Sequence, residues 1–434
     1  MAAPVTSAPL PAAASPNAPG TETPNYTPAL ASLTVLFFMM GFITCLNDIL
    51  IPYLKAIFSL SYTQANLINL CFFGAYFVMG IPAGRLVQRI GYKGGMLAGF
   101  LIAALGAFLF YPAADSRSYG LFLGALFVLA TGVVLLQVAG NPYVAILGPA
   151  PSAPARLTLT QAFNSLGTTV APLLGSALIL KHLPDLDTAA SAAAIDVKAV
   201  QTPYLAIGAV LVLISLLLAL LRLPKITHAE SATEDLSRRA YHYRHLVFGV
   251  LGIFAYVGGE VAIGSHIVSY LHLPDVMNLT PKVAGDKVAW YWGGAMVGRF
   301  LGAYLLNKFN PGRLLAGNAL GAVALVLLSV SSTGALAMWS LLAVGLMNSI
   351  MFATIFTLAV RDLGRHTEEA SGLLNVGIVG GAIIPLLFGM VADGSSLRWA
   401  FVLPVLCYAY IVWYGLKGHR PAAVAPAPAV PVFT

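Results

Sequence analysis

Long apolar stretches separated by short polar turns follow one another along almost the whole chain. About twelve of them are long enough to cross a bilayer, because a spanning helix takes about 20 apolar residues. Their centres fall near positions 42, 74, 103, 132, 169, 212, 257, 295, 321, 349, 380 and 407. The pattern predicts an all-α membrane protein with twelve spanning helices.

The longest polar stretch in mid-chain runs from about Arg222 to His245 and divides the predicted spans into six and six. Both ends of the chain are rich in Ala and Pro, which favours disorder, and the first residues carry no basic region typical of a signal peptide. The predicted segments are a cytoplasmic tail (1–28), an N-terminal six-helix bundle (29–222), a cytoplasmic linker (223–243), a C-terminal six-helix bundle (244–418) and a second cytoplasmic tail (419–434).

The two predicted bundles share weak sequence similarity at a nearly constant spacing. Gly84 and Gly302 are 218 positions apart (302 − 84), and Pro-Leu-Leu at 172–174 matches Pro-Leu-Leu at 385–387 with an offset of 213 (385 − 172). Each match is weak alone, but the matches occur in the same order. Two related six-helix halves are typical of the major facilitator fold, which has a pseudo-two-fold axis and a substrate site between the halves.

Composition and charge support a membrane location. The chain is 59% hydrophobic and only 9% charged, against roughly 25% charged in ordinary soluble domains. Of the 23 Lys and Arg, 16 fall in loops on the side of the N-terminus, with Arg299 counted among them, and 7 fall on the other side. The positive-inside rule therefore predicts cytoplasmic termini, and we do not attribute the net charge of +7 to nucleic-acid binding.

Two acidic residues, Asp48 and Glu260, fall well inside predicted spans. A charge at that depth costs roughly 2.5–3.5 kcal/mol on insertion scales, and it is tolerated mainly where it faces a cavity and handles an ion or a polar substrate. We predict a cation-coupling role for both. The alternative for Asp48 is a carboxylate held by Asn47 or by a backbone donor, and the alternative for Glu260 is a helix-packing contact. His266 occupies the repeat position of Asp48, at the same offset of 218 (266 − 48), and could equally be a neutral side chain bonded to a carbonyl.

Uncharged polar side chains recur at helical spacing in the predicted spans. Residues three, four and seven apart share a helix face. Amides both donate and accept hydrogen bonds, so they match sugar hydroxyls, although amides can also join helices to one another. The candidate substrate-binding residues are Asn47, Gln137, Asn141, Gln161, Asn164, Thr168, His266 and Asn375.

The loop after the second span, residues 84–93, carries three basic residues at characteristic spacing. It is similar to the cytoplasmic signature G-x-x-x-D-R-x-G-x-K of the superfamily, with Gln88 in place of the Asp. We predict that Arg85, Arg89 and Lys93 belong to a cytoplasmic gate. The alternative is that they only anchor the topology.

Several longer motifs occur in order along the chain. Together they resemble the fucose / glucose–galactose permease family of the major facilitator superfamily. The motifs are LNDILIPYLK (46–55), FGAYF (73–77), PAG (82–84), QVAGNPY (137–143), RL (156–157) and QAFNSLG (161–167).

The resemblance implies a bacterial inner-membrane symporter that imports a sugar by alternating access. Asp48 falls on the family's coupling Asp, and Asn164 falls on its sugar-contacting Asn. Gln137 stands where the fucose branch has Glu, and Glu260 resembles the glucose/galactose branch. The resemblance therefore favours a hexose such as glucose or galactose, with N-acetylglucosamine and fucose as alternative substrates.

Other function classes fit the sequence less well. The spans carry no paired acid–base set and no H-E-x-x-H motif, which argues against a membrane enzyme. A sensor would need an output domain, and a drug exporter should have a more aromatic cavity than these amides suggest. We expect no cofactor, H⁺ or Na⁺ as the coupling ion, a sugar and the lipid bilayer as partners, and a monomer. The sequence leaves the sugar and the ion open.

Overall fold

The computed structural model describes residues 27–58, 62–178, 201–221, 223–224 and 239–421. Within these ranges, the side chains of residues 27–28, 45–66, 69, 172–178 and 281 are also outside the description. The predicted tails and most of the predicted linker therefore lie outside the described residues, and the division into domains stays a prediction.

The described chain is built from helices that run back and forth across one layer. They are α1 (Thr27–Phe58), α2 and α3 (Tyr62–Asp115, divided at Gly91), α4 (Tyr119–Ile146), α5 (Ala153–Leu178), α6 (Gln201–Leu220), α7 (Arg244–Leu271), α8 (Pro281–Leu305), α9 (Pro311–Ser331), α10 (Gly334–Asn348 and Met351–Ala359), α11 (Thr367–Val376, Gly377–Val379 and Gly380–Gly394) and α12 (Leu397–Ala400, Val402–Trp413 and Tyr414–Gly418).

Hydropathy alone finds eight of these helices among the described residues, together with a shorter apolar helix at Ala29–Thr44 in α1. One of the eight, Leu70–Asp115, holds both α2 and α3. The helices α5 and α8 have the length of a span, but their polar and charged residues keep them out of the hydropathy set. With these additions the described helices match the twelve spans that the apolar pattern predicts.

Gly91 separates α2 from α3 without an intervening loop. Its φ of 76° and ψ of 168° lie in a region that only glycine occupies readily. The chain reverses direction at Gly91. The reversal brings α3 back against α2, so that a Cβ built on Gly95 would lie 2.7 Å from the Val87 side chain. Beyond the reversal, α3 packs on α6, where the rings of Phe110 and Tyr204 stack with centroids 4.0 Å apart.

The halves α1–α6 and α7–α12 meet along two seams. We name the side of the layer where α1 begins and α12 ends the terminal face. The α2–α11 seam is formed by glycine backbones: a Cβ on Gly372 would lie 2.5 Å from the Gly80 carbonyl oxygen, and a Cβ on Gly84 would lie 2.9 Å from the Glu368 carbonyl oxygen. Both contacts lie towards the terminal face.

The α5–α8 seam is built from side chains. Phe163 of α5 and Phe300 of α8 meet edge to face with ring centroids 6.2 Å apart. Nearer the terminal face, buried Ala155 of α5 forms a cluster with Leu306, just after α8, and with Ile350 of α10. The two seams together close the terminal-face side of the interface between the halves.

One assignment made from the sequence was wrong. Arg299, counted there as a loop residue, lies inside α8, more than a turn before that helix ends at Leu305. The error arose because α8 is polar enough that its terminal boundary could not be read from hydropathy. The side chain of Arg299 is half-buried and faces the other half of the protein.

Candidate functional site

Two predicted amides meet at the centre of the N-terminal half. Gln161 of α5 donates from Nε2 to Oδ1 of Asn141 in α4, at a long distance of 3.5 Å. Asn141 is fully buried, and no group in the described part of the chain accepts a hydrogen bond from its Nδ2. A buried amide donor without a partner is costly, so it is a candidate contact for a polar ligand or an ordered water.

Gln137 lies one turn before Asn141 on the same face of α4. Its Nε2 donates to the hydroxyl of Tyr76 in α2 over 3.0 Å, and the side chain is half-buried. Among the described residues no group donates to the carbonyl oxygen of the Gln137 amide, which leaves it as an acceptor for a ligand. The structure brings together Gln137, Asn141 and Gln161, as the spacing of polar residues predicts.

The side chains of Asn164 and Thr168 both donate hydrogen bonds to backbone carbonyl groups of the protein. The Nδ2 of Asn164 donates to the Phe37 carbonyl oxygen of α1 over 3.0 Å, and the Thr168 hydroxyl donates to the Ser165 carbonyl oxygen of its own helix over 2.8 Å. The α1 and α5 backbones are also very close, since a Cβ on Gly41 would lie 2.0 Å from the Asn164 carbonyl oxygen. Asn164 thus joins two helices, which was the alternative role for an amide.

Glu260 is buried in the middle of α7, with 8% of its surface exposed. The Tyr256 hydroxyl, one turn earlier, donates to its carboxylate over 2.7 Å. Tyr291 of α8 donates to the Glu260 backbone carbonyl over 3.0 Å and itself accepts from Asn348 over 2.8 Å. The Tyr256 hydroxyl therefore holds the carboxylate, and the Tyr291 hydroxyl holds the backbone of the same residue.

Sequence reasoning missed the residue that connects Glu260 to the amides. Nη1 of Arg299 donates to the Ser165 hydroxyl and, over 3.4 Å, to the Gln161 carbonyl oxygen, both in the other half. Its positive charge also acts on the Glu260 carboxylate and on the Tyr256 hydroxyl. The signal in the sequence was that a 25-residue helix beginning at Pro281 extends past Arg299. The polar residues of this helix obscure its end in a hydropathy profile.

Two other candidates have their hydrogen bonds to the backbone of their own helices. The Nδ1 of His266 is hydrogen-bonded to the Ala262 carbonyl over 2.8 Å, and its ring lies 4.3 Å from that of Phe388. This matches the alternative of a histidine bonded to a carbonyl. Asn375 of α11 is fully buried and donates to the Ser371 carbonyl over 2.9 Å.

The predicted gate residues take different positions at the terminal face. Arg85 and Arg89 are exposed. Lys93 donates from Nζ to the carbonyl oxygens of Ala219 and Leu221, over 2.7 and 2.8 Å, so it caps the end of α6 within its own half. Their role as a gate stays a prediction.

The side chains of Asn47 and Asp48 lie outside the described residues, so their predicted roles are not tested by geometry. Among the described residues, no group of three or more His, Cys, Asp or Glu could hold a metal ion. The described side chains thus form a candidate site that we call the polar path. It runs from Gln137 and Asn141 through Gln161 and Arg299 to Glu260. It crosses the boundary between the halves.

Residues 31–383 match the family model of the Major Facilitator Superfamily. The chain belongs to the Major Facilitator Superfamily. Members of this superfamily consist of two six-helix halves with the substrate site between them, and the polar path described above lies there.

Individual members of the superfamily are similar over nearly the whole chain. The glucose/galactose transporter of Brucella abortus (strain 2308) is 53% identical over 397 residues, which cover 91% of this chain and 95% of the relative. The L-fucose-proton symporter of Escherichia coli (strain K12) is 36% identical over 408 residues, covering 90% and 93%. The crystal structure of the superfamily transporter FucP in the outward conformation has a TM-score of 0.82 at 35% identity, covering 90% of this chain and 98% of that one.

Proposed function

We propose that this transporter imports a hexose of the glucose/galactose type by symport with H⁺, through alternating access. The observation that carries the proposal is the polar path across the middle of the interface, from the Asn141–Gln161 pair to the buried Glu260 carboxylate. Identity of 53% to a glucose/galactose transporter supports the choice of substrate.

The amides are suited to a sugar because each can donate and accept at once, as a hydroxyl does. In our proposal the sugar accepts from the buried Nδ2 of Asn141, which the described residues leave without an acceptor, and donates to the carbonyl oxygen of Gln137. Gln161 holds Asn141 in place and Asn164 fixes α5 against α1. The alternatives are fucose and N-acetylglucosamine.

The coupling acids in this proposal are Asp48 and Glu260. Position 48 lies seven residues after Gly41 in α1, and residues seven apart share a helix face. Gly41 contacts Asn164 of α5, and position 48 lies on the same face of α1 as that contact. The relative named as an L-fucose-proton symporter supports H⁺; Na⁺ is the other ion that carboxylates would bind.

The conformation that we propose is outward-facing, because both seams close the terminal-face side and a transporter in the outward conformation is the structural match. In this proposal the terminal face is cytoplasmic, the membrane is the bacterial inner membrane and the protein acts as a monomer. The two bundles, 29–222 and 244–418, rock against each other during transport.

Transport then follows from the cost of burying charge. Binding of H⁺ at Asp48, assisted by Glu260, removes a negative charge from the cavity, which lowers the cost of closing the cavity around these groups. Sugar bound at the amides is enclosed, the seams separate, and both ligands leave on the terminal face. A carrier that holds sugar without H⁺ keeps the buried negative charge and closes at a higher cost, which couples the two fluxes.

The decisive experiment is uptake of radiolabelled sugars into proteoliposomes, with pH and sodium gradients imposed separately. We expect a pH gradient to drive accumulation of glucose or galactose, and Asp48→Asn to abolish that accumulation while counterflow exchange survives. Accumulation driven only by sodium would replace H⁺ by Na⁺. Undiminished uphill accumulation by Asp48→Asn would refute the coupling role, and no hexose uptake under either gradient would refute the function.

A further inference from the structure

Arg299 is a cation placed inside a spanning helix. A guanidinium at this depth is costly unless protein groups or water satisfy it. The side chain is half-buried, and the groups that satisfy it lie on both sides of the interface between the halves. This division of partners is the basis of the inference.

The partners on the two sides differ in kind. Across the interface, Arg299 donates to the hydroxyl of Ser165 and to the carbonyl oxygen of Gln161, both on α5 and both uncharged. On its own side, its charge acts on the Glu260 carboxylate of α7, with the Tyr256 hydroxyl bonded to that carboxylate and interacting with both groups. The neutral partners hold the halves together, whereas the anion compensates the charge.

We infer that Arg299 is a positioning residue through which the charge of Glu260 controls closure of the terminal face. When Glu260 is anionic, the guanidinium is compensated and can stay dry across the closed α5–α8 seam. When Glu260 is neutralised by a bound cation, the guanidinium is left as an uncompensated charge. Opening the terminal face then becomes favourable, since it admits water to Arg299.

The inference rests on the proposed alternating access, and it adds the element that couples loading of the cation to opening of the seam. The titratable or charged groups that face Glu260 among the described residues are Tyr256 on its own helix, Tyr291 and Arg299 on α8, and Tyr408 on α12. Arg299 is the one that also contacts the other half, which singles it out for this role.

Opening can be measured at Ala155, which is 4% exposed and packed against Leu306 and Ile350 across the seam. We place Ala155→Cys in a full-length background with Cys45→Ser, Cys71→Ser and Cys407→Ala, and we measure its rate of reaction with a maleimide in detergent, without sugar. Because the position is nearly buried in the closed form, we expect it to react faster when the terminal face opens. The background must retain uptake and elute as a single species on gel filtration.

Three variants separate the roles. Ser165→Ala removes one of the two acceptors that Arg299 uses in the other half, the shorter of the two bonds, and loss of a charge-assisted bond predicts labelling faster by about tenfold or more. Ser371→Ala is the matched control, because its hydroxyl also bonds across the halves, to the Val138 carbonyl over 2.9 Å, but without charge. That control should change the rate by about fivefold or less. Glu260→Gln should accelerate labelling at least as much as Ser165→Ala.

The double variant Glu260→Gln/Arg299→Gln gives the discriminating result. If Arg299 opens the seam because its charge is uncompensated, neutralising it as well should slow labelling again, towards the rate of the background. A double variant that labels as fast as Glu260→Gln, or a Ser165→Ala rate no faster than that of Ser371→Ala, would overturn the inference. Because labelling needs neither sugar nor a gradient, this outcome is independent of whether the hexose proposal fails.

Discussion

The two seams between the halves occupy equivalent places in the internal repeat but are built from different chemistry. At the α2–α11 seam, backbones touch at Gly80 and Gly372. At the α5–α8 seam, aromatic side chains and the guanidinium of Arg299 cross the interface. The offset of 218 that relates Gly84 to Gly302 places Ile81 at the position of Arg299 (299 − 218), so the α2–α11 seam has no arginine at the equivalent place.

The difference in chemistry suggests different roles for the two seams in closing the terminal face and in controlling when it opens. Close backbone contact depends on shape alone and is insensitive to ions, as in small-residue contacts between membrane helices. A shared guanidinium responds to any change in the charge of Glu260. The comparison suggests that the glycine seam provides the fit between the halves and the charged seam decides when they separate. The four variants below test this division, from the largest expected effect to the smallest.

The largest effect is expected for Gly372→Val in the glycine seam. The new Cβ would lie 2.5 Å from the Gly80 carbonyl oxygen, so the backbones must move apart. Overpacking of roughly 1–3 kcal/mol should lower hexose uptake by about tenfold to a hundredfold, because the terminal face no longer closes. Gly74→Val in α2, where a Cβ meets nothing within 4 Å, is the control and should retain uptake. Equal losses in both variants would mean that the glycine contact is not special.

A smaller effect is expected for Tyr256→Phe beside the charged seam. It removes the hydroxyl that donates to the Glu260 carboxylate over 2.7 Å, and loss of a bond to a charged group should lower uphill accumulation by roughly tenfold. Tyr291→Phe is the control, since its hydroxyl contacts the Glu260 backbone and not the carboxylate. The measurement is the ratio of uphill accumulation to counterflow, which should fall for Tyr256→Phe alone.

A third variant tests the amide pair behind the charged seam. Asn141→Ala removes a buried donor that has no acceptor among the described residues. We expect the KM for hexose to rise roughly fivefold, the value of one net hydrogen bond, with little loss of thermal stability. Asn307→Ala, at the exposed end of α8, is the control for removing an amide. A large stability loss without a change in KM would make Asn141 structural.

The smallest effect is expected for Lys93→Gln, next to the glycine seam. Lys93 caps the end of α6, so its loss should cost about 0.3–1 kcal/mol of stability. The thermal midpoint in detergent should fall slightly while uptake and labelling at position 155 stay unchanged. Arg89→Gln, two residues before Gly91 at the end of α2, should change neither. If Lys93→Gln instead impairs transport with unchanged stability, the gate role predicted from the sequence is restored.

The sequence predicts the fold well because the spanning helices leave a direct record in hydropathy. Eleven of the twelve predicted centres fall within described helices, and the twelfth, 349, falls at the short break inside α10. The amides Gln137, Asn141 and Gln161 were predictable because polar groups are rare in spans. Arg299 was not, since a cation near a helix end is indistinguishable in sequence from a topology anchor. The partners of Asn164 and Lys93 were equally hidden, because they are backbone carbonyls, which every residue carries.

The reversal at Gly91 has a consequence for how the N-terminal half moves. Because a single glycine joins α2 to α3 without a flexible loop, we expect a tilt of α2 at its seam to move α3 as well. Since α3 is stacked in turn on α6 through Phe110 and Tyr204, separation at the edge becomes rotation of the whole bundle. A longer, flexible loop inserted at Gly91 would let α2 tilt without moving α3, and the rotation of the N-terminal half as one body would then be lost.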